Sequence, residues 1–391
     1  MDHFLVFGRH PRLSLAEFSS TRPHAYVRAL AGAGAVVRDA DWDGASLMQA
    51  LGGCVKVGDV HLEMPHTDLD ADVITDLLRS KLRGGRVIFG LSVLGGTPAA
   101  RTRLEKLALG VKRACSMTGA SARWVTSKQN ASLSPAAVAK LHLTTDGYDI
   151  VLLVHGETVS IGLTTDVQDA DAWSLRDYGR PIRDDENGML PPKLARIMVN
   201  LARVTDGGTM CDPFCGSGTV LMEAALATHA STIIGSDIEE RQVASTQENL
   251  AWCVGKRIFR KDDMKRFDLI TSDVRTLTKH LKPNCVDSVV TEGSLGPLLS
   301  GHETLPTLQK NVEGITTLWR DTFAALHPLV RKGGRMVCVW PAFKTSHGMA
   351  RIDLTDDPGL EGWRMADGDP LLYHRPGQRV MRRIVILDRS A

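Results

Sequence analysis

Cys211-Asp212-Pro213-Phe214-Cys215-Gly216-Ser217-Gly218-Thr219 is the stretch that decides the fold. It follows the apolar run 209–211 and opens a helical pattern over 220–227, so it reads as a strand-to-helix turn. Glycines in such a turn let a ligand approach the backbone closely, and in open α/β sheets ligands bind beyond the carboxyl ends of the strands. Gly216 and Gly218 fit that role; the plain alternative is an ordinary turn with no ligand. Working outward, apolar runs at 232–235, 269–271, 287–291 and 336–340 alternate with helical segments such as 241–252. That alternation predicts a doubly wound parallel sheet, with a last strand over 381–387 pairing antiparallel at its edge.

Acids recur at the ends of these strands. Gly235-Ser236-Asp237-Ile238 places a carboxylate where a ribose diol can be held, and Leu269-Ile270-Thr271-Ser272-Asp273 ends in another that could accept from an adenine amino group. For Asp273 a helix cap is the plain alternative. The first turn lacks the G-x-G-x-x-G spacing of a dinucleotide site, and no Gly-Lys-Ser/Thr follows to make a phosphate loop. The pattern therefore predicts a nucleoside cofactor.

The 391 residues suggest more than one domain, and 43% hydrophobic with 24% charged residues suits an ordinary globular protein. No apolar run approaches the length of a membrane span and the N-terminus lacks the h-region of a signal peptide, which predicts a cytoplasmic protein. Seven scattered cysteines argue against a disulfide framework, and their spacing suggests no metal site. Lys and Arg number 47 against 45 Asp and Glu, so the overall charge of +2 offers no argument for a nucleic-acid partner. The distribution does. Between Arg79 and Arg113 stand Arg79, Lys81, Arg83, Arg86, Arg101, Arg103, Lys106, Lys112 and Arg113, with Glu105 as the sole acid. Such a block can make sequence-independent phosphate contacts, although a solvated helix face would look the same.

Residues 1–165 read as mixed α+β. Strands are predicted at 87–92 and 149–154, with a helix over 103–117, and Ser14 with Glu17 reads as a capping box opening an earlier helix. Gly32 and Gly34 read as structural. Residues 166–188 are polar, broken by Gly179-Arg180-Pro181, and read as a linker; a second domain spans 189–391, opening with a helix whose first turn holds Pro191 and Pro192. In the linker, Arg176, Tyr178, Arg180 and Arg183 are candidate substrate-binding residues at the mouth of the sheet. Internal pairing with Asp177, Asp184 and Asp185 is the alternative.

The segment DPFCGSGTVLMEA closely resembles the first motif of class I S-adenosylmethionine-dependent methyltransferases acting on exocyclic amino groups of nucleic acids. FLVFGRHPRLSLAEF, RWVTSKQNASLSPAAVAK and RDYGRPIRDDENGMLPPKLARIMVNLA resemble segments of THUMP-containing tRNA guanosine N2-methyltransferases of the guanosine-10 type. The resemblance implies a Rossmann-like methyltransferase sheet preceded by an α+β ferredoxin-like and THUMP-type RNA-binding region. It implies S-adenosylmethionine as cofactor, tRNA as partner, and cofactor roles for Asp212, Gly216, Gly218, Asp237 and Asp273, with Phe214, Cys215 and Ile238 about the pocket. An activating protein subunit is left open.

At the fourth strand end the family carries Asp- or Asn-Pro-Pro-aromatic, where acceptors hold the target amine and the ring stacks on the base. Thr291-Glu292-Gly293-Ser294 stands there instead, followed by Leu295-Gly296-Pro297. These four residues are the candidate catalytic set, with Glu292 and neighbouring carbonyls as acceptors and Tyr178 as a substitute ring. The reading is a tRNA guanine-N2-methyltransferase; the alternative is an RNA-binding protein with a retained cofactor pocket and a degenerate catalytic motif.

Overall fold

The computed structural model describes residues 1–79, 86–117, 121–127, 132–183, 189–297, 299, 303–345, 348–366, 368, 371–375 and 377–390. The chain separates into two compact units, residues 1–172 and 173–391.

The first unit contains β1 (His3–Phe7), α1 (Pro11–Thr21), β2 (Tyr26–Ala31), β3 (Gly34–Arg38), α2 (Gly44–Ala50), β4 (Cys54–Pro65), α3 (Ala71–Arg79), β5 (Arg86–Gly95), α4 (Pro98–Met117), β6 (Ser121–Val125), α5 (Pro135–Lys140), β7 (Tyr148–His155) and β8 (Thr158–Val167). Its strands form one mixed sheet in the order β2-β3-β1-β4-β8-β7-β5-β6. The apolar stripe predicted for 103–117 buries Leu104, Ala108, Val111 and Cys115, as helical spacing requires. The turn between β2 and β3 needs Gly32, whose φ is +59°. The capping box does not form. The helix starts at Pro11, so Ser14 and Glu17 lie inside it, buried, where Ser14 Oγ donates to the Gly53 carbonyl and Glu17 accepts from the Gly52 and Gly53 amides. Their polar side chains satisfy a tight loop instead of a helix end.

The expected linker is partly regular. Strand β8 runs to Val167 and α6 (Ala170–Tyr178) follows, with Asp169 accepting from the Ala172 amide at its start. Asp184 and Asp185 lie outside the described residues. The second unit continues with α7 (Pro192–Leu201), β9 (Thr209–Asp212), α8 (Thr219–Ala227), β10 (Thr232–Asp237), α9 (Glu240–Gly255), β11 (Phe267–Thr271), β12 (Val286–Thr291), α10 (Leu305–Leu326), β13 (Val330–Thr345), β14 (Gly348–Arg351), β15 (Trp363–Met365), β16 (Leu371–Tyr373) and β17 (Val380–Arg389). The sheet order is β11-β10-β9-β12-β13-β17-β15, with β14 on β13 and β16 on β17.

Strands β9 to β13 are mutually parallel, as the alternating pattern predicted, and the order reverses between β9 and β12. That reversal is a topological switch point, where loops from neighbouring strands part and leave a crevice. The last strand is antiparallel to β13 but not at the edge, because β15 and β16 pair along its far side and bury Ile384, Val385 and Leu387. Those two covering strands have three residues each, too short for alternation to reveal them in sequence. Packed against the sheet, α10 inserts Trp319 and Phe323 into the core beside Trp340 and Trp363.

Candidate cofactor and catalytic site

The turn after β9 is held in shape by its own backbone. Gly216 and Gly218 have φ of +50° and +85°, a region that strains other residues, and a Cβ on Gly218 would stand 2.9 Å from Thr246 Cγ2. The Cys215 amide donates to the Ser236 carbonyl at 2.8 Å, and the Gly216 amide to Asp237 Oδ2 at 3.0 Å. Thr246 Oγ1 donates to the Gly216 carbonyl, and Asn249 Nδ2 donates to both the Ser217 and Ile182 carbonyls. The ends of β9 and β10 are thus stitched together through the glycine turn.

Asp212 is 1% exposed. Its Oδ1 accepts from Thr291 Oγ1 at 2.7 Å and from the Phe214 amide at 3.2 Å. Burial still dominates and pushes its carboxyl up to about 7. Asp237 is raised for the same reason, opposed by hydrogen bonds from the Glu239 and Gly216 amides.

A cavity of about 400 Å³ opens over these strand ends. Asp212, Phe214, Cys215 and Gly216 wall it from the first strand, Asp237 from the second, and Glu292, Gly293 and Ser294 from the fourth. Thr219 at the start of α8 also lines it, as do Met189, Leu190, Glu239 and Gln242, which were not singled out from sequence. Glu239 sits two residues beyond Asp237 in the loop that starts α9, a position that could have been read; Met189 comes from the far side of the linker and could not.

The fourth-strand segment is constrained differently. A Cβ on Gly293 would meet Trp319 at a tight 3.2 Å and Phe214 at an ordinary 3.6 Å, so a side chain there requires the Trp319 ring to give by a few tenths of an ångström. The Glu292 carboxylate accepts from Arg382 Nε at 2.6 Å and Nη2 at 3.1 Å, and the two side chains are 12% and 5% exposed. Thr291 points at Asp212, and Ser294 is exposed with its Oγ accepting from the Gly296 amide. Glu292 therefore reaches the cavity with both oxygens already engaged by a guanidinium from β17, keeping only its remaining lone pairs for another donor.

Several candidates lie elsewhere. Asp273 caps the 3-10 turn over 274–279 and is gripped by Arg275 Nε at 3.0 and 3.1 Å, and that hydrogen bonding holds its carboxyl below the usual range. It is not part of the cavity wall, nor is Ile238, which is 65% exposed. Among the four linker residues, Arg176 is buried against Glu223 at 2.8 Å and Arg180 is 3% exposed, so neither stands at a solvent-facing mouth. Tyr178 is exposed, with the Arg183 guanidinium 5.3 Å above its ring. Of the basic block, α4 presents Arg101, Arg103, Lys106, Lys112 and Arg113 on its exposed face, and Arg103 also donates to the Leu69 carbonyl. Lys81, Arg83 and the side chains of Arg79 and Arg86 lie outside the described residues.

Residues 180–350 match the UPF0020 family, described as RMKL-like, methyltransferase domain. The tRNA (guanine(10)-N2)-dimethyltransferase of Methanothermobacter thermautotrophicus is 34% identical over 152 residues, covering 39% of this chain and 38% of that protein. The corresponding enzyme of Methanocaldococcus jannaschii is 32% identical over 164 residues, covering 40% and 43%. The match thus spans about two fifths of these two relatives' length. The probable tRNA (guanine(10)-N2)-dimethyltransferase of Methanothermococcus thermolithotrophicus is 31% identical over 121 residues, 31% of this chain and 70% of that protein. Among solved structures, TrmN from Thermus thermophilus has a TM-score of 0.55 at 18% identity, covering 100% of both chains, which is a likeness of fold. A Rossmann-like sheet with its crevice at the switch point, a glycine turn backed by buried acids, and these matches lead to one conclusion: the chain belongs to the tRNA guanine-N2-methyltransferase family.

Proposed function

We propose that this protein transfers the methyl group of S-adenosylmethionine to the exocyclic N2 of a guanosine in tRNA. The observation that carries the reading is the single cavity into which the glycine turn, Asp237 and the fourth-strand segment all open. The residues present fit the cofactor: positive-φ glycines leave the backbone bare, and two partly desolvated carboxylates, Asp212 and Asp237, suit a ligand carrying hydroxyl and cationic groups. Asp237 would hold the ribose, and Asp212 with Phe214 and Cys215 would flank the methionine moiety. An adenine contact from Asp273 requires that it release Arg275. When bound, the cofactor supplies an electrophilic methyl group on a sulfonium.

The chain's own task is to orient a poor nucleophile, since the guanine amine's lone pair is delocalised into the ring. Acceptors on the amino protons draw the nitrogen toward tetrahedral geometry and fix its approach. The Glu292 and Gly293 carbonyls and the remaining lone pairs of the Glu292 carboxylate would serve as these acceptors, with Arg382 holding the carboxylate's orientation. No general base has to act first, because the amine proton is acidic once the nitrogen is alkylated. We read the first unit as the ferredoxin-like and THUMP-type region, and the exposed cationic face of α4 as a phosphate platform. Tyr178 with Arg183 would meet the target base in place of the missing fourth-strand ring. A tRNA substrate suits a cytoplasmic protein, and among the described residues no helix is long and apolar enough to cross a membrane.

One observation favours the second reading, an RNA-binding protein with little turnover: Glu292 is clamped by Arg382 while Ser294 offers no ring. Incubation of unmodified tRNA with labelled S-adenosylmethionine, followed by nucleoside mass spectrometry, separates the two. The proposal predicts N2-methylguanosine or its dimethyl form, strongly reduced in Glu292→Gln; binding of tRNA and cofactor without a methylated nucleoside supports the second reading.

A further inference from the structure

The cavity wall holds four carboxylates, those of Asp212, Asp237, Glu239 and Glu292, and among the described residues no Lys, Arg or His. A methyl donor of the class proposed above ends in an amino acid, whose ammonium such a wall attracts and whose carboxylate it repels. Some cation must balance that carboxylate.

Among the described residues two buried cations touch the wall, and Arg382 is already paired with Glu292; the other is Arg180. Arg180 Nη1 donates to Thr219 Oγ1 at 2.6 Å and Nη2 to Met189 Sδ at 3.5 Å, and both of those residues line the cavity. Thr219 is also the first residue of α8, whose N-terminus adds its own positive end. Arg180 is 3% exposed, its Nε has no hydrogen-bond partner, and among the described residues no carboxylate stands within ion-pair distance, so that burial lowers its pKa although Asp177 and Glu223 attract it from farther off.

Its neighbours show that this is not the local habit. Arg176 Nε and Arg196 Nη2 each meet Glu223, at 2.8 Å, and between them they occupy the buried carboxylate of the cluster. Lys56, in the first unit, is buried as deeply and pairs with Asp149 at 2.8 Å. A buried charge without a partner carries a desolvation cost that a paired one offsets. A guanidinium left in that condition against a cavity wall is suited to an anion that arrives with the ligand.

We propose that Arg180 is the counter-charge for the carboxylate of the methyl donor's amino-acid end. This rests on the cofactor reading above. It moves Arg180 from the RNA, which its burial keeps it from reaching, to the cofactor, and it makes the opening segment of the second unit part of the cofactor site.

The test is a pair of ligands on a pair of variants. S-adenosylhomocysteine carries the carboxylate; 5′-methylthioadenosine keeps the nucleoside and thioether but lacks the amino-acid end. By calorimetry, Arg180→Gln should weaken S-adenosylhomocysteine by about tenfold or more, as expected for a lost charge-assisted contact, and leave 5′-methylthioadenosine within about twofold. Arg180→Lys, which keeps the charge, should recover part of the loss and carries the same test, through the ratio of the two affinities, should the glutamine variant not fold. Equal weakening of both ligands would make Arg180 a purely structural residue and overturn the proposal. So would unchanged cofactor affinity with weakened tRNA binding, which would return Arg180 to the RNA. Failure of the unaltered protein to bind either nucleoside would overturn the cofactor reading itself, an outcome distinct from both.

Discussion

The carboxyl ends of β9 and β12 lie side by side and are joined by one hydrogen bond, Thr291 Oγ1 to Asp212, yet they are built on opposite principles. The first is held mainly within the β9–β10–α9 stretch, by Ser236, Asp237, Thr246 and Asn249, which lie 21 to 32 residues from the turn groups they bind, while its acid takes its shorter hydrogen bond from Thr291. The second is stabilised from a distance, by Arg382 on β17, ninety residues along the chain, and is packed closely under the Trp319 ring at Gly293. A device built mainly within one β-α-β stretch depends less on the rest of the chain. A remote one ties the catalytic segment to the core, so activity and stability should be coupled at the fourth strand and separable at the first.

The largest effect that would break this contrast is at Arg382. Arg382→Met leaves the Glu292 carboxylate buried without its partner and should cost about 3–5 kcal/mol in urea unfolding. A loss below about 1 kcal/mol would mean that the pair is a solvated contact and that the fourth strand is no more tied to the core than the first.

Asp212 provides the corresponding test at the first strand. Because burial raises its carboxyl to about 7, the folded chain keeps a proton that the unfolded chain releases near pH 4. The stabilisation from this group is complete below about pH 4 and is lost as pH rises through about 7. The stability of the parent relative to Asp212→Asn should therefore fall by up to about 1.4 kcal/mol per pH unit between pH 5 and 7, then level off. A difference that is flat with pH would place Asp212 in a solvated environment.

A smaller effect sharpens the comparison from the substrate side. Ser294 is exposed at the cavity, so Ser294→Phe adds a ring without displacing core atoms. If the fourth strand lacks only a stacking surface, tRNA affinity should improve by about 1–3 kcal/mol in a filter-binding titration. No gain would assign base capture to the exposed Tyr178–Arg183 pair, and Tyr178→Ala should then lower the methylation rate while leaving cofactor affinity unchanged.

The same contrast explains what the sequence disclosed. The parallel sheet, its helices and the glycine turn were legible because periodicity, bare glycines and strand-end acids are local signals. The Arg382–Glu292 pair was not, since nothing in MRRIVILDR marks which of its arginines turns toward the cavity. Arg180 read as a surface residue because Gly179 and Pro181 flank it, and its burial depends on α8 and Met189 packing over it. Asp273 was the reverse case: Arg275, two residues on, was in plain view and competes for the carboxylate assigned to adenine. Ser14 and Glu17 fit a capping pattern by spacing, but Pro11 had already begun the helix, and the loop at Gly52 and Gly53 claimed both side chains.

The central claim is that the fourth-strand end, clamped as it is, delivers a guanine N2 to a methyl donor. The most direct measurement uses two tRNA transcripts, one with guanosine throughout and one with inosine in its place, which removes the N2 amine alone. The account predicts label transfer from S-adenosylmethionine to the guanosine transcript and none to the inosine transcript, although the guanosine transcript stays displaceable by the inosine one. Equal transfer to both would place the methyl group on another atom, and tight binding of the guanosine transcript with no transfer would contradict the account.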